Sequence, residues 1–234
     1  MSLVRQDFEG GFNLIYITGD KHREFDSVAK FCFEMETTKD DILIILGDAG
    51  INFYGDMDDQ SLKEKLSELP ITLFCIHGNH ELRPYLIDSY DEIPWQGGVA
   101  YQEAEFPNLI FAKDGEIYNL EGVRCIAIGG AYSVGGGGLP DEQPTDEIKE
   151  YVEDMLDAAN WKIDVVFSHT CPYSYRPKDM FLPYVSREID NSTEKWLDSL
   201  ERRLDYDVWY CGHFHADRLE GKICFVFEDF VELV

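Results

Sequence analysis

At 234 residues, with 44% hydrophobic and 14% aromatic side chains, the chain can bury one sizeable core, which excludes wholesale disorder. Twenty Lys and Arg against forty-six Asp and Glu leave a formal charge of −26. That field repels polyanions and excludes duplex nucleic acid or an anionic membrane as a broad partner, but not a small phosphate ligand held by divalent cations.

In chain order, residues 13–18 (NLIYIT) read as a buried strand. Residues 24–36 read as a helix with Phe25, Val28, Ala29, Phe31 and Cys32 near one face. A second strand over 41–46, a helix over 59–68 closed by Leu69-Pro70, and a third strand over 71–76 follow. This alternation implies parallel strands whose carboxyl ends share one edge. Runs at 108–112, 116–120 and 124–129 are short and turn-separated, which predicts antiparallel pairing. A helix over 144–159, a strand over 162–168, a helix over 192–203 with Ser192 as N-cap, and strands over 208–211, 222–228 and 231–234 complete the chain. The expectation is an α/β fold over residues 1–234 as a single domain: a four-layer αββα sandwich with two central mixed sheets flanked by helices.

No apolar run approaches the roughly 20 residues that cross a bilayer, and the first residues have too little apolar length for a signal peptide. The six cysteines (Cys32, Cys75, Cys125, Cys171, Cys211, Cys224) are scattered, without a C-x-x-C pair. Reduced thiols and a cytoplasmic location are expected. The four glycines 135–138 read as a surface loop, with a gating lid as the alternative reading. The acidic stretch from Asp56 to Asp59 reads as a solvated turn.

Histidine placement carries the chemistry. All six (His22, His77, His80, His169, His213, His215) follow apolar strand-like runs by a few residues, where an α/β sheet presents ligands. Asp20 and His22, and again His213 and His215, are spaced by two, which in extended chain puts both side chains on one side. Asp48 follows the second strand, and Asn79 with Glu81 follows the third. Gly19, Gly47, Gly78 and Gly212 precede these residues and permit close backbone approach.

In order, the blocks Asp20-Lys21-His22, Gly47-Asp48, Gly78-Asn79-His80-Glu81, His169 and Gly212-His213-Phe214-His215 resemble the calcineurin-like metallophosphoesterases, over most of the chain. The flanking phrases look closest to bacterial and phage-type members. The resemblance implies two divalent metal ions. Asp20, His22, Asp48 and His215 would hold the first; Asp48, Asn79, His169 and His213 would hold the second, with Asp48 bridging. Imidazole, carboxylate and amide donors suit Mn first, with Fe, Zn or Ni compatible. It further implies hydrolysis of a phosphodiester or phosphomonoester of modest size by a hydroxide shared between the ions, with His80 as general acid. Asp48 or Glu81 is expected to orient His80.

The phosphate-gripping arginines of the family's phosphoprotein phosphatases are missing. Residue 77 is His where their second arginine would stand. Arg83, and secondarily His77, are the expected phosphate contacts; Lys21 and Arg23 read as solvated charges. Tyr173, Tyr175, Phe181 and Tyr184 are candidate pocket aromatics, with core as the commoner fate. A phosphoprotein phosphatase and a catalytically silent metal-binding scaffold remain the alternative readings.

Overall fold

The structure is a computed structural model describing residues 13–134, 138–180 and 189–233. β1 (Ile15–Thr18), α1 (Asp26–Met35), β2 (Ile42–Ile45), α2 (Met57–Ser67) and β3 (Thr72–Cys75) follow the expected alternation. β1, β2 and β3 pair in parallel, with Ile17 opposite Ile44 and Ile44 opposite Phe74. Their residues are buried on both faces, so the strands read as continuous apolar runs rather than alternating ones.

The middle of the chain differs from the sequence expectation. Two strands not anticipated, β4 (Asp91–Trp95) and β5 (Gly98–Gln102), form a hairpin that pairs onto β6 (Leu109–Ala112). β6 lies parallel to β3, whereas β7 (Ile117–Leu120) and β8 (Val123–Ile128) form an antiparallel pair in the other sheet. Runs expected to pair with one another are thus divided between sheets. β4 was obscured by its charged start and by Pro94, which sits on an edge strand where its missing N–H costs little.

After α3 (Asp146–Ala158) come β9 (Val165–Ser168), α4 (Ser192–Glu201) and β10 (Val208–Cys211). β11 (Arg218–Glu220), β12 (Ile223–Phe225) and β13 (Val231–Glu232) close the chain. The sheets run β13-β1-β2-β3-β6-β5-β4 and β11-β12-β10-β9-β8-β7. Ser192 is not the cap of α4: Asn191 holds that position, and the Ser192 N–H donates to Asp190 Oδ1 at 2.8 Å.

Three cores define four layers. Ile15, Ile44 and Phe74 of the first sheet meet Cys125, Val165 and Phe167 of the second. The alternate residues Tyr16, Leu43 and Leu73 face outward to Val28, Cys32 and Leu66 of α1 and α2. Ile126, Val166 and Trp209 pack against Val152, Leu156, Leu197 and Leu200 of α3 and α4. The period-two alternation of each strand thus feeds one residue to the inter-sheet core and the next to a helix layer. The architecture is the expected α/β sandwich of two mixed sheets. No helix among the described residues is long and apolar enough to cross a membrane. The cysteines are free; Cys224 is half-buried and the others are buried.

Candidate metal centre

The loops leaving β1, β2, β3, β9 and β10 converge where the carboxyl ends of the two sheets meet. Backbone ties hold them together. Lys21 and His22 N–H donate to the Asp48 carbonyl at 3.0 and 2.7 Å, and Gly212 N–H donates to the His169 carbonyl at 2.9 Å. Gly78 and Gly47 are required by crowding: a Cβ on Gly78 would lie 2.1 Å from Asp48 Oδ1, and one on Gly47 2.2 Å from His169 Nδ1. His22, Asp48, His213 and His215 all adopt left-handed backbone, with φ of 44, 48, 64 and 48°. Such conformations in bulky residues concentrate at functional sites. They also correct the expected extended geometry, because turns rather than pleats bring Asp20 and His22, or His213 and His215, together.

Ligand atoms of Asp20, His22 and His215 lie within 4.8 Å of one another, as do those of Asp20, Asp48 and His169. His22 Nε2 and His215 Nε2 are 3.0 Å apart, and His215 Nε2 is 3.2 Å from Asp20 Oδ2. His169 Nε2 is 2.8 Å from Asn79 Oδ1 and 3.6 Å from Asp48 Oδ1. The His213 ring stands 5.0 Å from the His169 ring, centroid to centroid. Neighbours aim these groups. His169 Nδ1–H donates to the Leu46 carbonyl at 2.7 Å, which leaves Nε2 facing the cluster. Asn79 Nδ2 donates to Ser133 Oγ at 3.0 Å, which leaves Oδ1 facing the cluster.

Electrostatics point the same way. Burial alone would push His169 down, but the Asp48 and Asp20 carboxylates hold it up at about 9. Burial would likewise raise Asp20 and Asp48, yet the histidines around them keep both below the usual carboxylate range. His215 is raised by its bond to Asp20, whereas burial and the charged His169 push His213 down to about 4. His22 is pushed down by burial as well, so the histidines are divided; two buried carboxylates held charged and opposed ring nitrogens only 3.0 Å apart suit a cation between them. The donor set fits divalent metal.

His80 stands at the mouth, its ring 5.6 Å from that of His22. Its backbone N–H, rather than its ring, donates to Asp48 Oδ1 at 2.8 Å. Glu81 serves the loops instead: Oε1 accepts from Gly78 N–H at 2.9 Å and Oε2 from Gly50 N–H at 3.1 Å, clasping two ligand-bearing turns. Burial, with the Asp48 charge adding, lifts Glu81 to about 7.

The structure does not bring Arg83 and His77 to this mouth. The Arg83 guanidinium pairs with Asp114 and donates from Nε to the Asp141 carbonyl at 2.7 Å. With buried His77 it lines a separate cavity of about 190 Å³ against Tyr85, Tyr101 and Tyr151. Lys21 and Arg23 are not simply solvated either. Lys21 is buried with Nζ on the Phe227 carbonyl, and Arg23 binds the Gly50 carbonyl and Asp59. Asp59 is a buried partner within α2, and Asp56 is that helix's N-cap, so this stretch is no solvated turn. Tyr175 donates to Glu201 and packs beside the α4 core, and Tyr173 stacks on Arg176. Residues 135–137 of the glycine run, Phe181 and Tyr184 lie outside the described residues. Ser133 and Asp114 escaped the sequence reading because neither adjoins a recognisable block.

The family model described as calcineurin-like phosphoesterase matches residues 14–217. The chain belongs to that family. Among solved structures, TT1561 of Thermus thermophilus is 14% identical, with 93% of this chain and 89% of that one covered and a TM-score of 0.55. A second solved structure, also 14% identical, covers 92% of this chain and 89% of its own, with a TM-score of 0.50. These likenesses show the shared fold alone. No curated protein matches the chain. A calcineurin-like phosphoesterase built this way carries Asp and His groups that could hold metal at the meeting edge of its sheets.

Proposed function

We propose that the protein is a metal-dependent phosphoester hydrolase acting on a phosphodiester or phosphomonoester of modest size. The observation that carries it is the pair of Asp/His clusters sharing Asp20, with Asp48 lying between His22 and His169. Asp20, His22, Asp48 and His215 would hold one ion; Asp48, Asn79, His169 and His213 would hold the other. Two bound divalent ions, Mn first with Fe, Zn or Ni compatible, would lower the pKa of water and neutralise charge on the phosphoryl oxygens.

The chain's own groups supply the rest. Asp48 anchors the arrangement through both its carboxylate and the His80 N–H it accepts. His80, exposed at the mouth, holds a proton on its ring and passes it to the leaving alkoxide. The Leu46 carbonyl and Ser133 fix the ring and amide orientations, so no reorganisation is needed as charge develops.

The test is hydrolysis of bis-(p-nitrophenyl) phosphate and p-nitrophenyl phosphate by chelator-stripped protein with Mn, Ni, Zn or Mg restored singly. Asp48→Asn and His80→Ala are run alongside. Turnover that needs metal and is lost in both variants supports the proposal. Full turnover of an alkyl phosphate ester, whose alkoxide needs a proton to leave, by His80→Ala removes His80 from the acid role, and silence with every metal removes the hydrolase reading.

A further inference from the structure

A second concavity adjoins the metal centre on the far side of His80. It measures about 270 Å³ and is lined by His22, Arg23, Gly50, Phe53, Tyr54 and His80. The cavity over the clustered ligands, about 330 Å³, shares His22 and His80 with it and is otherwise separate. His80 and His22 therefore form the partition between a phosphate position and a neighbouring chamber.

Two aromatic rings furnish the chamber. Phe53 and Tyr54 meet edge to face with centroids 4.7 Å apart, and Phe53 leans toward the His80 ring at 6.5 Å. Tyr54 is 56% exposed. Its segment is braced all the same. Tyr54 and Gly55 N–H donate to Asp59 Oδ2 at 2.8 and 2.7 Å, and the other Asp59 oxygen accepts from Arg23 Nη1 at 2.5 Å. The Arg23 guanidinium also donates to the Gly50 carbonyl at 2.7 Å and lies 4.9 Å over the Tyr54 ring. On the other flank, Leu82 N–H donates to the Asn52 carbonyl at 2.8 Å, and Tyr90 donates to Asn52 Oδ1 at 3.0 Å. A buried acid, a clamped arginine and a buried amide thus hold two rings still at the surface, the arrangement expected of a preorganised contact face.

We propose that this chamber is a leaving-group subsite, and that the substrate is a phosphate ester whose leaving alcohol carries a flat aromatic or heteroaromatic ring. This rests on the reading of His80 as the proton donor, since the group it protonates must lie on its side of the reacting phosphorus. The rings of Phe53 and Tyr54 then stack against the departing ring. Arg23 keeps its charge neutralised by Asp59, so it orients Tyr54 rather than attracting an anion of its own.

The test compares benzyl phosphate with ethyl phosphate on Mn-loaded protein, since both release primary alcohols and differ in the ring. Benzylphosphonate and ethylphosphonate, which are not hydrolysed, are titrated by calorimetry in parallel. The expected result is about a tenfold preference for the benzyl compound in kcat/KM and in affinity. In the Phe53→Ala, Tyr54→Ala double variant the benzyl-to-ethyl ratio falls to near one. Phe53→Tyr with Tyr54→Phe, which keeps both rings, retains it. A ratio near one in the parent protein overturns the subsite, as does a preference erased by Phe214→Ala in the other cavity instead. Ring-selective phosphonate binding with no turnover of these monoesters or of bis-(p-nitrophenyl) phosphate keeps the subsite and removes the hydrolase reading, so the two failures are distinguishable.

Discussion

Arg83 is the residue where sequence and structure suggest opposite roles, and Arg83→Met separates them. In the structure its guanidinium is 3% exposed, paired with Asp114, which is 8% exposed. Removing the arginine strands the Asp114 carboxylate in the interior, supported among the described residues by the Gly129 N–H at 2.6 Å, and takes the Arg83 donor from the Asp141 carbonyl. Breaking a buried pair from one side costs about 3–5 kcal/mol, a large share of the roughly 5–15 kcal/mol that holds a domain folded. Neutralising the survivor restores most of it. Arg83→Met with Asp114→Asn keeps the Gly129 contact and is expected within about 2 kcal/mol of the parent protein. Urea unfolding of the parent, both single variants and the double variant reads this directly, with KM for the better nitrophenyl ester measured on each. A Met variant of unchanged stability whose KM rises tenfold or more would refute the structural role and make Arg83 a phosphate contact.

Three further outcomes are expected. Glu81→Gln replaces one acceptor of the Gly78–Gly50 clasp with a donor, leaving a buried N–H unmet. It should lose about 1–3 kcal/mol of stability and about 10–100-fold in metal affinity, measured by urea unfolding and calorimetry; unchanged metal affinity would show that the clasp does not position the ligands. Glu194 is raised by burial, so the folded protein keeps its proton to higher pH than the unfolded chain, whose carboxyl titrates near 4.5. Stability contributed at this site is therefore present below that pH and lost as pH rises through the folded value, and Glu194→Gln should gain in Tm at neutral pH relative to acid; a pH-independent difference would contradict this. Chelator treatment should lower Tm, and restoring metal at 100 times its Kd should recover about 2.7 kcal/mol for each ion bound; a Tm indifferent to metal would show that the cluster binds none.

Strand positions and the gathering of Asp and His groups that could hold metal were legible in the sequence because both rest on local pattern. Runs such as DILIIL and ITLFCI, short, rich in Ile and bounded by turn residues, read as doubly buried strands, and a histidine or aspartate after each carboxyl end falls where a parallel sheet presents ligands. The middle of the chain was not legible in the same way. Nothing local distinguishes β6, which joins β3, from β7, which joins β8 in the other sheet, because partner choice depends on which apolar faces must be covered.

The sequence by itself determined the layered α/β class, the order of the blocks and the supply of Asp and His groups at the strand ends. Only the tertiary structure decided how those residues are aimed. The Leu46 carbonyl choosing the His169 tautomer, Ser133 turning Asn79, and Glu81 joining two turns are contacts between segments far apart in the chain. The same is true of the arginines. The sequence reading made Arg83 a phosphate contact and Arg23 a solvated charge, yet the first is consumed by a buried carboxylate behind the centre while the second, clamped by Asp59, braces a ring at its mouth. A charge's role follows from its partner, and partners are set by packing.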